Sequence, residues 1–215
     1  MYVGRIVAIG CSKAGRAVAM YRVSSRSFPN RHAKVLDGVV SILPKPGFEA
    51  DIHQNPYIAY NCLRLADSYA VATNGSHTDP IAEKVSAGVP VRDALASVLL
   101  ALDYEHDKLN TPRLAAVVHG RARTGFLGIV RHDALLVREF ALVPGVAHYV
   151  CTYEHNAPGE PYRDQAFDAA NATAACSYVL GQGVFADLER PITAACACAT
   201  AAGSFEIAVA DAPRT

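Results

Sequence analysis

Four polar segments of the chain carry more functional groups than loops need. The first is RVSSRSFPNR, Arg22–Arg31. In an extended chain, side chains alternate, so Arg22, Ser24 and Arg26 fall on one face. Two guanidiniums and a hydroxyl would converge there, with Asn30 and Arg31 just beyond, and planar forks of this kind suit a phosphate monoester. A solvated edge strand accounts for the same residues. The second is NPYIAYN, Asn55–Asn61. Tyr57 and Tyr60 are three apart and cannot share a strand face, so one packs and one projects. Tyr60 beside Asn61 pairs a phenol with an amide. A phenol titrates near pH ~10 and needs an electrostatic neighbour before it acts as a base; otherwise it donates a hydrogen bond or fills the core. The third, NGSHTDP (Asn74–Pro80), runs into a helix start, whose free N–H groups attract anions, though a plain capped turn explains it equally. The fourth, LDYEHDKLNTPR (Leu102–Arg113), ends a helix in Asp103, Tyr104, Glu105, His106, Asp107 and Asn110. Acids at a helix C-terminus oppose its dipole, a local cost that a functional role would justify.

These segments need elements to position them. Tyr2–Gly10 and Ala17–Val23 read as strands joined by the short CSKAGR loop, whose Gly15 suits a hairpin. A turn-rich loop, SSRSFPNRHAK, leads to a short strand at Val39–Leu43, stopped by Pro44, Pro46 and Gly47. Ile58–Leu65 and Tyr69–Thr73 form a further strand pair. In TDPIAEKVSAG, Asp79 reads as a cap, Pro80 as the first helical residue and Gly88 as the stop. Pro90 opens a second helix whose Val91, Leu95, Val98, Leu99 and Leu102 repeat at the 3.6-residue period of a buried face. Leu114–Val118, Phe126–Val130, Leu135–Phe140 and His148–Thr152 read as strands. EHNAPGEPYRD reads as a flexible surface loop. A third helix is expected over Arg163–Leu180, and one or two closing strands over Ile192–Ala210. Without regular βαβ alternation, GxGxxG or GxxxxGK[ST], the usual dinucleotide and Walker-type folds are disfavoured. A single α+β domain over residues 1–215 is expected.

Composition narrows the function classes. Hydrophobic residues make up 51% and charged residues 19% of 215, so extensive disorder is excluded. Twenty basic residues balance twenty acidic ones, leaving no global field to hold a nucleic acid, although local basic clusters can still bind a phosphate. Apolar runs such as Ala94–Leu102 fall short of the ~20 residues of a membrane span, and Arg5 interrupts the N-terminal run before it can form a signal-peptide core. A cytoplasmic location is expected. The six cysteines form no CxxC and the eight histidines no HExxH, so neither a metal nor a redox cofactor is expected. Cys196 and Cys198, in ITAACACATAAG, read as small buried hydrophobes.

The polar segments together resemble the archaeal-type IMP cyclohydrolase family. MYVGRIVAIG, YRVSSRSFPNR, NPYIAYNCLR, TNGSHTD, and LDYEHDKLNTPR followed by LAAVVHG carry the resemblance in unbroken order over residues 1–120. Beyond Gly120 it is looser: GFLGIV, CTYE and PITAA fit, while HGRARTG and the Cys-containing C-terminal run depart. The resemblance implies a four-layer α-β-β-α sandwich like that of the N-terminal-nucleophile hydrolases, without their processed nucleophile; Met1 and Tyr2 agree with the latter. It implies reversible ring closure of 5-formamidoimidazole-4-carboxamide ribonucleotide to inosine monophosphate with loss of water, the last step of purine biosynthesis, with no cofactor. By motif matching, Tyr60 and Glu105 are the catalytic pair, with Tyr104 and Asp103 as neighbours. Arg26 leads the substrate-binding set, with Arg22, Asn30, Arg31, Asn61, Asn74, Asp103 and Arg113 as further candidates. The expected partner is thus a purine nucleotide, with neither nucleic acid nor membrane, and a homo-oligomer is open. Two alternatives remain: an amide hydrolase of the same fold using a nucleophile exposed by processing, for which Cys11 is the early candidate, and a nucleotide-binding module without turnover.

Overall fold

A computed structural model describes residues 1–213; the last two positions of the expected 1–215 domain lie outside the described residues. In chain order the elements are β1 (Ile6–Cys11), β2 (Ala17–Ser24), β3 (Arg31–Leu36), β4 (Val39–Pro44), α1 (Asp51–Gln54) and a 3-10 turn at Pro56–Ile58. Then follow β5 (Tyr60–Ala66), β6 (Tyr69–Thr73), α2 (Thr78–Ser86), α3 (Val91–Leu102), β7 (Arg113–His119), β8 (Thr124–Arg131), β9 (Ala134–Ala141) and β10 (Val146–Cys151). The chain closes with β11 (Arg163–Asp164), α4 (Ala172–Gly181), a 3-10 turn at Gly183–Phe185, β12 (Pro191–Ala199) and β13 (Phe205–Asp211).

The strands form two sheets, β11-β10-β1-β2-β12-β13 and β3-β4-β5-β6-β7-β8-β9, and their pairings are antiparallel. The fold is therefore α+β, as expected. Strand alternation builds the layers. In β2, Ala19, Tyr21 and Val23 enter the core shared with the second sheet, while Val18 and Met20 enter a separate core under α4. In β12, Ala195, Ala197 and Ala199 face the shared core and Ala194, Cys196 and Cys198 face α4. Both faces of this strand are covered, which explains a run of small residues that carries no polar–apolar alternation. On the far side, Ile81, Ala82 and Val85 of α2 and Val91, Ala94, Leu95 and Val98 of α3 pack against Val71, Ala115 and Val117. The layer order is α4, sheet, sheet, α2–α3.

Four local expectations need correction. β3 lies in the segment read as loop; it is an edge strand with exposed Lys34, Val35 and Leu36, so burial could not impose a two-residue pattern on its second half. Asp79 does not cap α2, because its carboxylate accepts from Asn61 Nδ2 at 2.8 Å and Arg64 Nη1 at 3.1 Å. Leu102, expected on the buried face of α3, is 40% exposed at the helix end. The third helix is nine residues shorter at its start than expected. Asn171 caps it by accepting from Ala174 N at 2.8 Å, while the Asp164 carboxylate is held by Tyr178 Oη at 2.9 Å and Ala166 N at 2.8 Å. The closing segment resolves into two strands around a turn at Gly203, whose φ is +82°.

Candidate active site

The sheet registers bring functional residues from five elements to one end of the sandwich. Ile6 pairs with Arg22 and with Cys151, so Arg5 lies beside the end of β2 and the start of the Thr152–Tyr153 segment. In the facing sheet, Tyr60 opens β5 opposite Ile42, and Arg113 opens β7 just beyond the Thr73–Ala115 pair. Arg31 opens β3. Glu105 is held in the loop before β7, where its N–H donates to Thr111 O at 2.8 Å.

Tyr21 and Tyr60, projecting from opposite sheets, meet at 2.5 Å between hydroxyl oxygens, with rings edge-on at 6.4 Å. Arg5 Nη2 donates to Glu105 Oε2 at 3.1 Å. Arg113 Nη1 lies 3.9 Å from Glu105 Oε1, while its Nε donates to Asp103 O at 2.8 Å. Glu105 is 1% exposed and Tyr21 fully buried. Burial raises the Glu105 carboxyl, and the adjacent Arg5 and Arg113 oppose that rise without cancelling it. Burial likewise raises Tyr60, against Arg31 and Arg5, and pushes Tyr21 well up, with Tyr60 adding to the effect. For Arg5, burial acts to lower the pKa, but Glu105, Tyr60 and Tyr21 together outweigh it, so the guanidinium stays charged. Arg5 is the cation common to both acidic groups.

Buried polar atoms without partners concentrate here: Arg5 Nε, Arg31 Nη1, Arg113 Nη1, Glu105 Oε1 and His77 Nδ1. Natural proteins satisfy nearly all such atoms, so this cluster marks a place kept for another molecule's polar groups. His77 donates through Nε2 to Leu114 O at 2.7 Å, and burial lowers its pKa to about 3, so it is neutral with a free Nδ1 lone pair. Gly75 leaves room for these side chains: a Cβ there would lie 2.8 Å from Arg113 Nη1 and 3.2 Å from His77 Nδ1, and would push the Arg113 guanidinium aside. Among the described residues, no three His, Cys, Asp or Glu side chains gather as a metal-binding group.

Of the residues singled out from sequence, Tyr60, Glu105, Arg31 and Arg113 come together. Arg26 and Asn30 line a neighbouring cavity of about 1080 Å³ that also includes Lys45 and Arg190. Arg26 is 59% exposed, paired with Glu189 at 3.1 Å and stacked 4.2 Å over the Tyr2 ring. The remaining candidates face elsewhere. Asn61 points to the α2 side of its sheet, between Ser41 Oγ (2.7 Å) and Asp79, because it alternates with inward Tyr60. Asn74 is fully buried and bridges Pro112 O and Leu114 N, a purely architectural clamp. Tyr104 packs against His106 with ring centroids 4.3 Å apart and planes tilted by 47°, and the Asp103 carboxylate is taken by Tyr104 N and His106. Cys11 is 2% exposed at the far end of β1, paired with Ala17 and Val146, and burial raises its thiol pKa. It is no exposed nucleophile.

Arg22 requires an outright correction. Alternation does place it on one face with Ser24, to which its Nε donates at 3.0 Å, but that face looks at α4 and not at the site. Its guanidinium caps the end of α4 and the following turn, donating to Val179 O (3.2 Å), Phe185 O (3.1 Å), Leu188 O and Glu189 O (3.3 Å). Desolvation there lowers its pKa to about 10. Arg22→Ala is expected to cost about 3 kcal/mol or more of stability by orphaning these carbonyls. Denaturant unfolding should show that loss, whereas the folded fraction should keep its Michaelis constant; a changed constant with unchanged stability would return Arg22 to the substrate site.

The residues missed from sequence are Arg5, Tyr21 and Tyr153. Tyr21 was in view: it shares the two-residue phase of Ala17 and Ala19, which defines the inward face of β2. Arg5 lay within the MYVGRIVAIG stretch of the resemblance, but its own character was read only as a break in an apolar run. Tyr153, whose hydroxyl lies 3.3 Å from Thr111 Oγ1, fell within the CTYE stretch of the resemblance but was given no role.

Comparison with known proteins covers most of the chain. Residues 2–203 match the family model described as IMP cyclohydrolase-like protein. The chain is 45% identical over 197 residues to a protein named IMP cyclohydrolase from Methanosphaera stadtmanae, covering 92% of this chain and 94% of that one. It is 54% identical over 155 residues to one from Methanocella arvoryzae (72% and 75%), and 48% identical over 172 residues to one from Halobacterium salinarum (80% of each). The matched span contains Arg5, Tyr21, Arg31, Tyr60, Glu105 and Arg113. The chain belongs to the IMP cyclohydrolase family.

Proposed function

We propose that this protein is an IMP cyclohydrolase, closing 5-formamidoimidazole-4-carboxamide ribonucleotide to inosine monophosphate and water. The observation that carries this reading is the buried Arg5-linked pair of Tyr60 and Glu105 at one end of the sandwich, in a chain of this family. The carboxamide nitrogen attacks the formyl carbon, forming the ring C–N bond and an alkoxide on the former formyl oxygen. That oxygen then leaves as water, taking one hydrogen from the carboxamide nitrogen and one from the formamide nitrogen. No electrons change hands, so acid–base groups and charge stabilisation suffice.

Glu105 accepts the carboxamide proton, because desolvation raises its basicity while Arg5 and Arg113 favour its charged form. Tyr60 donates to the alkoxide, and Tyr21, 2.5 Å behind it, stabilises the phenolate left by that transfer, together with Arg5 and Arg31. The protonated Glu105 then passes its proton to the departing hydroxyl, and the Tyr60 phenolate takes the formamide N–H proton, so both groups return to their starting states. The unpartnered Arg31 and Arg113 nitrogens receive the substrate's carbonyl oxygens. The ribosyl phosphate extends towards Arg26, Asn30 and Arg190 in the large cavity. Arg26→Ala should then raise KM about ten-fold with kcat little changed, since a fork-to-phosphate contact is worth ~1.5–3 kcal/mol. Steady-state kinetics checks this, and an unchanged KM removes Arg26 from the phosphate.

The finer fold assignment belongs to this reading too: a single domain over 1–215 of the N-terminal-nucleophile-hydrolase type, working without a processed nucleophile. Six free, buried cysteines suit a reducing cytoplasm, and among the described residues no helix is long and apolar enough to cross a membrane. The deciding experiment is an absorbance assay for inosine monophosphate formed from the formamido nucleotide by purified protein. Tight nucleotide binding with no product would instead make the chain a binding module.

A further inference from the structure

At the opposite end of the sandwich, a second cavity of about 430 Å³ opens between Cys11–Ala17, Gly120–Arg123, Leu142 and Ala199–Ala201. β1 separates it from Arg5: six strand residues at ~3.4 Å each put the two ends about 20 Å apart. Three arginines line it, Arg16, Arg121 and Arg123, and no carboxylate does. That is unusual in a chain of net charge zero. Among the described residues, only six arginines lack a carboxylate within 4.0 Å, and half of them are these three; the others are Arg22, Arg31 and Arg190. In the larger cavity Arg26 and Lys45 each face a carboxylate, Glu189 and Asp211, while Arg190 does not.

Two of the guanidiniums are held in place by neutral carbonyls, which orient a fork without cancelling its charge. Arg16 Nη1 donates to Ala170 O at 2.8 Å. Arg121 donates to Ala202 O through Nε at 3.2 Å and Nη2 at 2.7 Å, leaving Nη1 free. The β12–β13 turn is pressed onto this arginine: a Cβ on Gly203 would strike its Cγ and Nε at 2.5 Å, and one on Gly120 would meet Gly203 O at 2.0 Å. Arg123 makes no side-chain hydrogen bond to the described residues, and its charge acts on the Cys11 thiol in the cavity floor.

We infer that this cavity is a second ligand site, separate from the catalytic end, for a phosphate monoester. Three unneutralised guanidiniums match a dianion with three terminal oxygens better than they match a single carboxylate. The volume lies within the ~300–1,000 Å³ of small-molecule sites, enough for a sugar phosphate or a mononucleotide.

Calorimetric titration of the purified chain with inorganic phosphate, ribose 5-phosphate and a purine nucleoside monophosphate tests this. At least one probe should bind at two sites per chain, the second with Kd at or below about 1 mM. Arg121→Ala/Arg123→Ala should weaken that second event about ten-fold or more and spare the first, while Arg31→Ala should do the reverse. The tightest probe identifies whether phosphate alone, the sugar or the base is read. Arg123→Gln alone, at an exposed and unbonded side chain, serves if the double variant does not fold. A single binding event untouched by these substitutions overturns the inference, as does equal weakening of both events.

Discussion

Tyr60→Phe and Glu105→Gln should each lower turnover about a hundred-fold while nucleotide affinity changes far less. General acid–base groups contribute typically ~10²–10⁴ in rate, and both substitutions preserve shape while deleting only the group that moves a proton. The two act through Arg5, which is bonded to Glu105 and favours a charged Tyr60, so the double variant should fall well short of the product of the single losses. Acidity gives an independent readout. Burial holds the Glu105 carboxyl above its ordinary value, so the acid limb of the kcat profile should sit above the usual carboxylate range. Arg113→Gln removes one of the charges that hold it down and should move that limb to higher pH; Glu105→Gln should abolish it. Single variants with near-normal turnover would make the pair structural.

The distribution of sequence signal explains which of these residues could be found without coordinates. Tyr60 and Glu105 were singled out by the family resemblance; of the two, only Glu105 also carried a local signal, sitting in an acidic run that opposes the dipole of the preceding helix. Arg5 and Tyr21 gave no such signal, because their role is created by two sheets facing one another, and a single strand's pattern does not tell which strand of the other sheet lies opposite. The Arg22–Ser24–Arg26 reading failed for a related reason. Periodicity says which residues share a face, but here both faces of β2 are buried, one under the second sheet and one under α4. The strands bordered by glycine and proline, and the α3 face, were legible because one side of each must be apolar. Edge strand β3 was not, although Asp37-Gly38 makes the two-residue turn that pairs it with β4, because its exposed second half lacks apolar alternation; the Arg163–Asp164 strand is two residues long and too short to carry a pattern.

Arg5→Met should be the most destabilising single change at this end, costing about 3–5 kcal/mol at neutral pH, because it strands the Glu105 carboxylate in a buried site without its direct partner. Arg113, at 3.9 Å, is too far for a full hydrogen bond and cannot replace it. The loss should depend on pH with a definite sign. Without Arg5 the folded-state pKa of Glu105 rises further above its unfolded value near ~4.5, so the folded chain prefers the neutral acid. Stability should therefore be lost as pH climbs from the unfolded pKa through the raised folded one, and be regained on acidification relative to the wild type. Glu105→Gln placed in the Arg5→Met background should restore much of the stability, since a buried amide needs no counter-charge, yet leave turnover abolished. Thermal unfolding of the single and double variants between about pH 5 and pH 8 checks both halves. An Arg5→Met protein as stable as wild type across that range would show that Glu105 is already neutral, and the proton acceptor would then have to be the Tyr60–Tyr21 pair.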